Sequence, residues 1–110
     1  MSELTVFNNP TFGQLRTFLV DDGPWFVAKD VCGVLGYTNV SKAVADHVDM
    51  EDKLNNETLL SLGQRGGWLI NESGLYSLIM TSKMPNARVF KHWVTHDVLP
   101  TIRRTGGYLA

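Results

Sequence analysis

Between Val27 and Lys29 the hydrophobic pattern changes its period, and that change restricts the fold class more than any other feature of the chain. Before it come short runs rich in branched and aromatic residues: Leu4-Thr5-Val6-Phe7, then Leu15 to Val20, then Trp25-Phe26-Val27. Asn8-Asn9-Pro10 breaks the first run from the second, and Asp21-Asp22-Gly23-Pro24 reads as a turn before the third. After the change, Val31, Val34 and Leu35 fall at helical spacing. Asp30 sits in the first turn, where an acid suits the helix dipole, and Gly36 stands just past the end. A strand meander that runs straight into helix predicts an α+β fold.

The rest of the chain extends that reading. Tyr37-Thr38-Asn39 is a short connection to a second helix capped by Ser41, with Ala43, Val44 and Val48 inward and Lys42, Asp46 and His47 outward. Asp49 to Lys53 reads as polar loop. Leu59-Leu60-Ser61-Leu62 and Trp68-Leu69-Ile70 flank Gly63-Gln64-Arg65-Gly66-Gly67, a hairpin with a glycine-rich tip. Asn71 or Ser73 starts a third helix through Leu75, Leu78 and Ile79, and Ser82 to Asn86 ends it. A longer helix runs from Pro85 or Asn86 toward Arg104, with Ala87, Phe90, Trp93, Val94, Val98 and Ile102 as its inner face. Pro100 lies inside that helix and should kink or split it. The expected architecture is a small antiparallel sheet, or sheets, with hairpins packed against about four helices, two of them a helix-turn-helix-like pair.

Residues 1–110 then form a single domain: 44% hydrophobic and 19% charged residues suffice for a core, yet the chain is small enough to draw on a partner or a homodimer. No apolar run approaches a membrane span, and Met1-Ser2-Glu3 opens no secretory signal. The one cysteine, Cys32, has no internal partner, which fits a reducing, cytoplasmic compartment. Formal net charge is −1, but it is unevenly spread, at −4 over residues 1–55 and +3 over residues 56–110. Such asymmetry can turn a basic surface toward phosphate, although a solvated mixed surface has the same statistics.

Three groups of residues are candidates for nucleic-acid contact. In the helix-turn-helix-like pair, Thr38, Asn39, Ser41 and Lys42 lie where polar side chains reach base edges; two helices simply packed together are the plain alternative. The acidic run from Asp46 to Asp52 opposes deep insertion of the far end of the second helix. Arg65 at the glycine-rich tip can pair with phosphate or guanine, or be a solvated turn residue. Arg88, Lys91 and His92, with Lys83 just before them, share one helical face that could hold phosphates or simply face water. His92 and His96 are four apart, the spacing of a two-imidazole metal site, but no glutamate or cysteine pair accompanies them. Cys32 lies among apolar residues and reads as packing, as do Trp25, Trp68 and Trp93. Nothing suggests a catalytic triad or a nucleotide fingerprint, so no enzyme activity, cofactor or metal is expected.

The ordered motifs go further. Trp25-Phe26-Val27-Ala28-Lys29-Asp30-Val31-Cys32-Gly33-Val34-Leu35-Gly36-Tyr37, then His47 with Glu51-Asp52-Lys53, then Gly67-Trp68-Leu69-Ile70-Asn71-Glu72-Ser73-Gly74-Leu75-Tyr76, resemble the Bro-N domain. Ala87 to Val94 and Val98 to Tyr108 complete the resemblance, which covers nearly the whole chain. It implies a DNA-binding N-terminal domain of the kind found in phage antirepressors and baculovirus Bro proteins, usually followed by a different C-terminal domain. For a phage-derived protein the compartment would be the bacterial host cytoplasm. DNA, or another nucleic acid, is the expected partner, with Arg65, Lys83, Arg88 and Lys91 on phosphates and Asn39, Ser41 and Lys42 at base edges. The rival expectation is a protein-interaction module that captures a phage repressor or mediates assembly. A metal-dependent enzyme built on His92 and His96 is a distant third.

Overall fold

The computed structural model describes residues 3–20, 23–56 and 67–105. Three strands come first: β1 (Glu3–Asn9), β2 (Gly13–Val20) and β3 (Gly23–Val27). Two helices follow, α1 (Ala28–Leu35) and α2 (Val40–His47), and a single 3-10 turn, Met50–Asp52, leads into β4 (Lys53–Asn56). Then come β5 (Gly67–Ile70), α3 (Glu72–Thr81), α4 (Asn86–Trp93), a π-helical turn (Val94–Val98) and α5 (Leu99–Thr105). The strands form one antiparallel sheet in the order β1-β2-β3-β5-β4. The α+β fold read from the period change is the fold observed.

The β1–β2 turn is built by its own residues. Asn9 Oδ1 accepts from the backbone N–H of Thr11 at 2.8 Å and of Phe12 at 3.1 Å, and Gly13 takes the positive φ of 82° that closes the turn. Gly23 and Pro24 belong to β3 rather than to a turn, with Pro24 opposite Leu19; Asp21 and Asp22 lie outside the described residues. Proline is tolerated there because it stands near the start of the strand.

β5 pairs with Lys53–Asn56, of which only Lys53 belongs to the stretch that reads as polar loop, while Leu59 to Leu62 lie outside the described residues. Lys-Leu-Asn-Asn has no strand signature because it is an edge strand: its stability comes from its neighbours. Leu54 stands opposite Leu69, and Lys53 places its ammonium 5.8 Å from the centre of the Trp68 ring and 3.4 Å from the carbonyl oxygen of Val44.

Register divides the sheet. Thr17, Phe26 and Ile70 are aligned on the face that α1 and α3 cover, and there the main core gathers Leu15, Val31, Leu35, Val44, Leu75, Leu78 and Phe90. Phe18, Trp25, Val27 and Leu69 alternate to the opposite face and form a second buried cluster. Of the tryptophans read as core anchors, Trp25 is buried, and Trp68 and Trp93 pack half-buried against the main core. Cys32 is fully buried, and desolvation pushes its thiol up to about 11, which suits packing rather than reactivity.

The last helix is split where Pro100 requires it. Pro100 has no N–H, and its ring would clash with the carbonyl four residues back in a continuous α-helix. The chain answers with a widened turn in which Leu99 N–H reaches Val94 O, while Thr95 and Thr101 hydroxyls donate to the carbonyls of Lys91 and Asp97 at 2.9 and 2.6 Å. The shift keeps Ala87, Phe90, Val94, Val98, Leu99 and Ile102 all facing the core.

Where β3 ends, β2 loses its neighbour on that side, and an acid takes over. Asp30 accepts from Arg16 N–H at 2.9 Å, from Nε at 2.9 Å and from Nη2 at 2.8 Å. Both side chains are almost fully enclosed, at 10% and 8% exposure. The hydrogen bond to Asp30 outweighs desolvation and holds the Arg16 guanidinium above its ordinary range. Removing one partner leaves the other buried and unpaired. Asp30→Ala is therefore expected to cost about 3–5 kcal/mol, read as a fall in the urea midpoint, far more than an exposed charge would.

Candidate nucleic-acid interface

Two connections of the chain meet at one corner. Gly36 ends α1 with a φ of 82°, and a Cβ built there would stand 2.5 Å from Met84 Cγ and 2.8 Å from its Sδ. Ser82 Oγ donates to Leu35 O at 2.8 Å, and Tyr37 Oη donates to Leu78 O at 2.9 Å. Through these contacts the α1–α2 turn is held against the α3–α4 connection, which carries Lys83. Residues far apart in sequence, Leu35 to Tyr37 on one side and Leu78, Ser82 and Met84 on the other, thus meet. α1 and α2 pack on each other across residues 36–39.

At that corner α2 is capped by Asn39, not by Ser41. Asn39 has an extended backbone, and its Oδ1 accepts from Lys42 N–H at 3.0 Å. Ser41 already lies inside the first turn, where its backbone is helical and its hydroxyl cannot reach back to cap. The correction bears on the base-edge candidates. Asn39 has its carbonyl oxygen engaged, and Lys42 Nζ is 2.8 Å from Asp46 Oδ2 in an exposed i,i+4 pair. Their mutual hydrogen bond raises the Lys42 ammonium and lowers the Asp46 carboxyl from their ordinary values. Ser41 and Thr38 are exposed. The acidic stretch beyond is partly occupied as well: Asp52 Oδ1 accepts from Asn71 Nδ2 at 3.0 Å.

The α4 candidates fall as the spacing predicts. Ala87 and Phe90 are buried, whereas Arg88, Lys91 and His92 are exposed on the outer face. Lys83, Arg88 and Lys91 have no hydrogen-bonded or ionic partner among the described residues. Other cations are engaged: Arg103 lies 3.6 Å from Glu72, and Arg104 reaches Thr101 Oγ1 at 3.3 Å. Arg65 lies outside the described residues.

His92 and His96 stack with ring centres 3.9 Å apart and planes 20° apart. His96 Nδ1 is 3.0 Å from His92 O, and since a carbonyl only accepts, Nδ1 carries the proton in that contact. Among the described residues no third metal-ligating side chain joins them.

Sequence reasoning passed over Lys29. It is exposed at the start of α1, has no partner among the described residues, and borders a cleft with Met84 and Asn86. Only the fold brings it near the α3–α4 connection; the one signal in the sequence was a lysine outside the apolar face of α1.

Comparison with known proteins decides the lineage. The family model described as BRO family, N-terminal domain, matches residues 14–100. The chain belongs to the Bro-N family. A putative Bro-N domain-containing protein of Invertebrate iridescent virus 6 is 41% identical over 105 residues, covering 79% of this chain and 25% of that protein. An uncharacterized protein of Haemophilus influenzae is 43% identical over 84 residues, covering 76% of this chain and 42% of its own length. A Bro-N domain-containing protein of Autographa californica nuclear polyhedrosis virus is 35% identical over 118 residues, covering 93% of this chain and 36% of its own. This Bro-N chain thus spans less than half the length of each of these curated relatives. No solved structure matches it significantly.

The reassigned cap has a direct check. Asn39→Ala is expected to cost about 1 kcal/mol in thermal or urea unfolding, whereas Ser41→Ala should be neutral or stabilise by a few tenths.

Proposed function

We propose that this Bro-N domain binds nucleic acid, DNA in the first place, as the N-terminal module of a phage or prophage antirepressor-like transcriptional regulator. The observation that carries the reading is the set of exposed cations on α1, on α4 and just before α4 that have no partner among the described residues. Lys29, Lys83, Arg88 and Lys91 are exposed and unpaired among the described residues, while Arg16, Lys42 and Arg103 each pair with an acid. A domain of net charge −1 that leaves these four uncompensated has a local surface suited to phosphate. The α1–α2 pair then serves as a helix-turn-helix-like reader: Ser41 and the amide nitrogen of Asn39 reach base edges, and Lys42 does so by exchanging Asp46 for a nucleic-acid partner. Arg65 is a further phosphate ligand in this reading. Nothing in it calls for a catalytic group, and the host cytoplasm is its compartment.

A second reading has its own observation. β1 is a sheet edge, with Leu4 and Val6 exposed at 40% and 41%. An open edge with apolar side chains can add a strand from a repressor or from a second copy of the chain.

Salt-titrated binding separates the two. With five phosphate contacts, Arg65 included, the logarithm of duplex affinity should fall against the logarithm of salt with a slope of about −4.5. Arg88→Glu with Lys91→Glu should weaken binding to every sequence and reduce that slope by about 2. Absent or salt-insensitive binding to DNA and RNA, with a repressor captured by β1, would favour the second reading.

A further inference from the structure

A cleft of about 400 Å³ lies between the β1–β2 turn, the first turns of α1 and the α3–α4 connection. Its size falls within the roughly 300–1,000 Å³ of small-molecule sites. Phe12, Val34 and Met84 supply apolar surface, and Phe12 is fixed in place by an edge contact to Phe90, with ring centres 5.4 Å apart. The polar side chains at the cleft, Thr11, Gln14, Lys29 and Asn86, have no hydrogen-bonded partner among the described residues. Its one acid, Asp30, is already occupied by three donors of Arg16 and so presents little net charge to an anion. The fold therefore holds an aromatic ring, two carboxamides and an ammonium around one opening and uses none of their side-chain polar groups among the described residues.

We infer that this cleft takes a single unstacked nucleotide. The base lies against Phe12, Val34 and Met84, the amides of Gln14 and Asn86 meet its hydrogen-bonding edge, and Lys29 holds its phosphate. Carboxamides are suited to that edge because each offers both donors and an acceptor. A base inside a duplex is stacked on both faces and cannot enter such an opening. The nucleotide is therefore either free or part of an unpaired strand; in the second case the inference rests on the nucleic-acid reading above, with Lys83 and Arg88 beyond Asn86 continuing along the strand.

Gly33 gives a clean test. It lines the cleft, and a Cβ added there meets nothing within 4 Å, so Gly33→Leu fills the opening while leucine improves the helix. A thermal midpoint at or above that of the unaltered domain verifies its fold, and Gln14→Ala with Asn86→Ala is the second variant. The probes are deoxyadenosine monophosphate alone, a short single strand carrying one 2-aminopurine, and the same strand annealed as duplex. The unaltered domain should change the 2-aminopurine emission of the single strand, and both variants should bind that strand about ten-fold more weakly, the scale of one lost stacked base. Their duplex affinity and its salt slope should stay unchanged.

If the variants bind the single strand as the unaltered domain does, and the monophosphate binds none of them, the cleft assignment is overturned. Duplex binding with the expected salt slope would then leave the broader reading standing. Monophosphate binding that Gly33→Leu abolishes, without any strand or duplex binding, supports the cleft as a free-nucleotide site and removes the broader reading. No binding of any probe overturns both.

Discussion

Met84 lies where a side chain on residue 36 would have to stand, and the candidate interface depends on that contact. Gly36 satisfies two demands together: the left-handed backbone that stops α1, and the space that lets the α3–α4 connection come down on the α1–α2 turn. Ser82 and Tyr37 fasten the contact with hydrogen bonds to Leu35 O and Leu78 O. With it the two connections are held together over a core that includes Leu35, Leu78 and Phe90.

Charge works at the same corner by subtraction. The net charge of the domain says little, because pairing decides which charges remain available. Arg16 and Asp30 cancel in a buried clamp that joins β2 to α1, Lys42 is matched by Asp46, and Arg103 by Glu72. Lys53 and Arg104 meet only neutral groups, and Lys29, Lys83, Arg88 and Lys91 have no partner among the described residues; three of these four lie in the half of the sequence with the positive balance. The clamp and the interface are connected: the carboxylate that secures the strand–helix junction is also the acid that would otherwise repel phosphate beside Lys29.

How far the sequence could be read follows from how local each determinant is. The strand-to-helix change at Val27, the stop at Gly36, the start at Asn71 and the break at Pro100 rest on a few adjacent residues, and each was readable. The cap of α2 was assigned to Ser41 because serine is a good cap; Asn39 prevails because its backbone is extended and residue 41 is already helical. β4 escaped because Lys53-Leu54-Asn55-Asn56 has no strand preference of its own and depends on Leu69, Trp68 and Val44 from elsewhere. The outward face of Arg88 and Lys91 came from helical spacing alone. Lys29 joining the α3–α4 connection, Arg16 meeting Asp30, and the stacking of His92 on His96 across a π turn all depend on tertiary geometry that spacing does not encode.

The corner where the α1–α2 turn meets the α3–α4 connection is the surface we propose for nucleic acid. Backbone amide chemical shifts of the labelled domain, followed at low salt as a short DNA duplex is added, test it most directly. The shifts should concentrate at Lys29, at Thr38 to Lys42 and at Lys83 to Lys91, and should reverse as salt is raised. Shifts confined to β1 and the outer sheet face, or none at all, would contradict it.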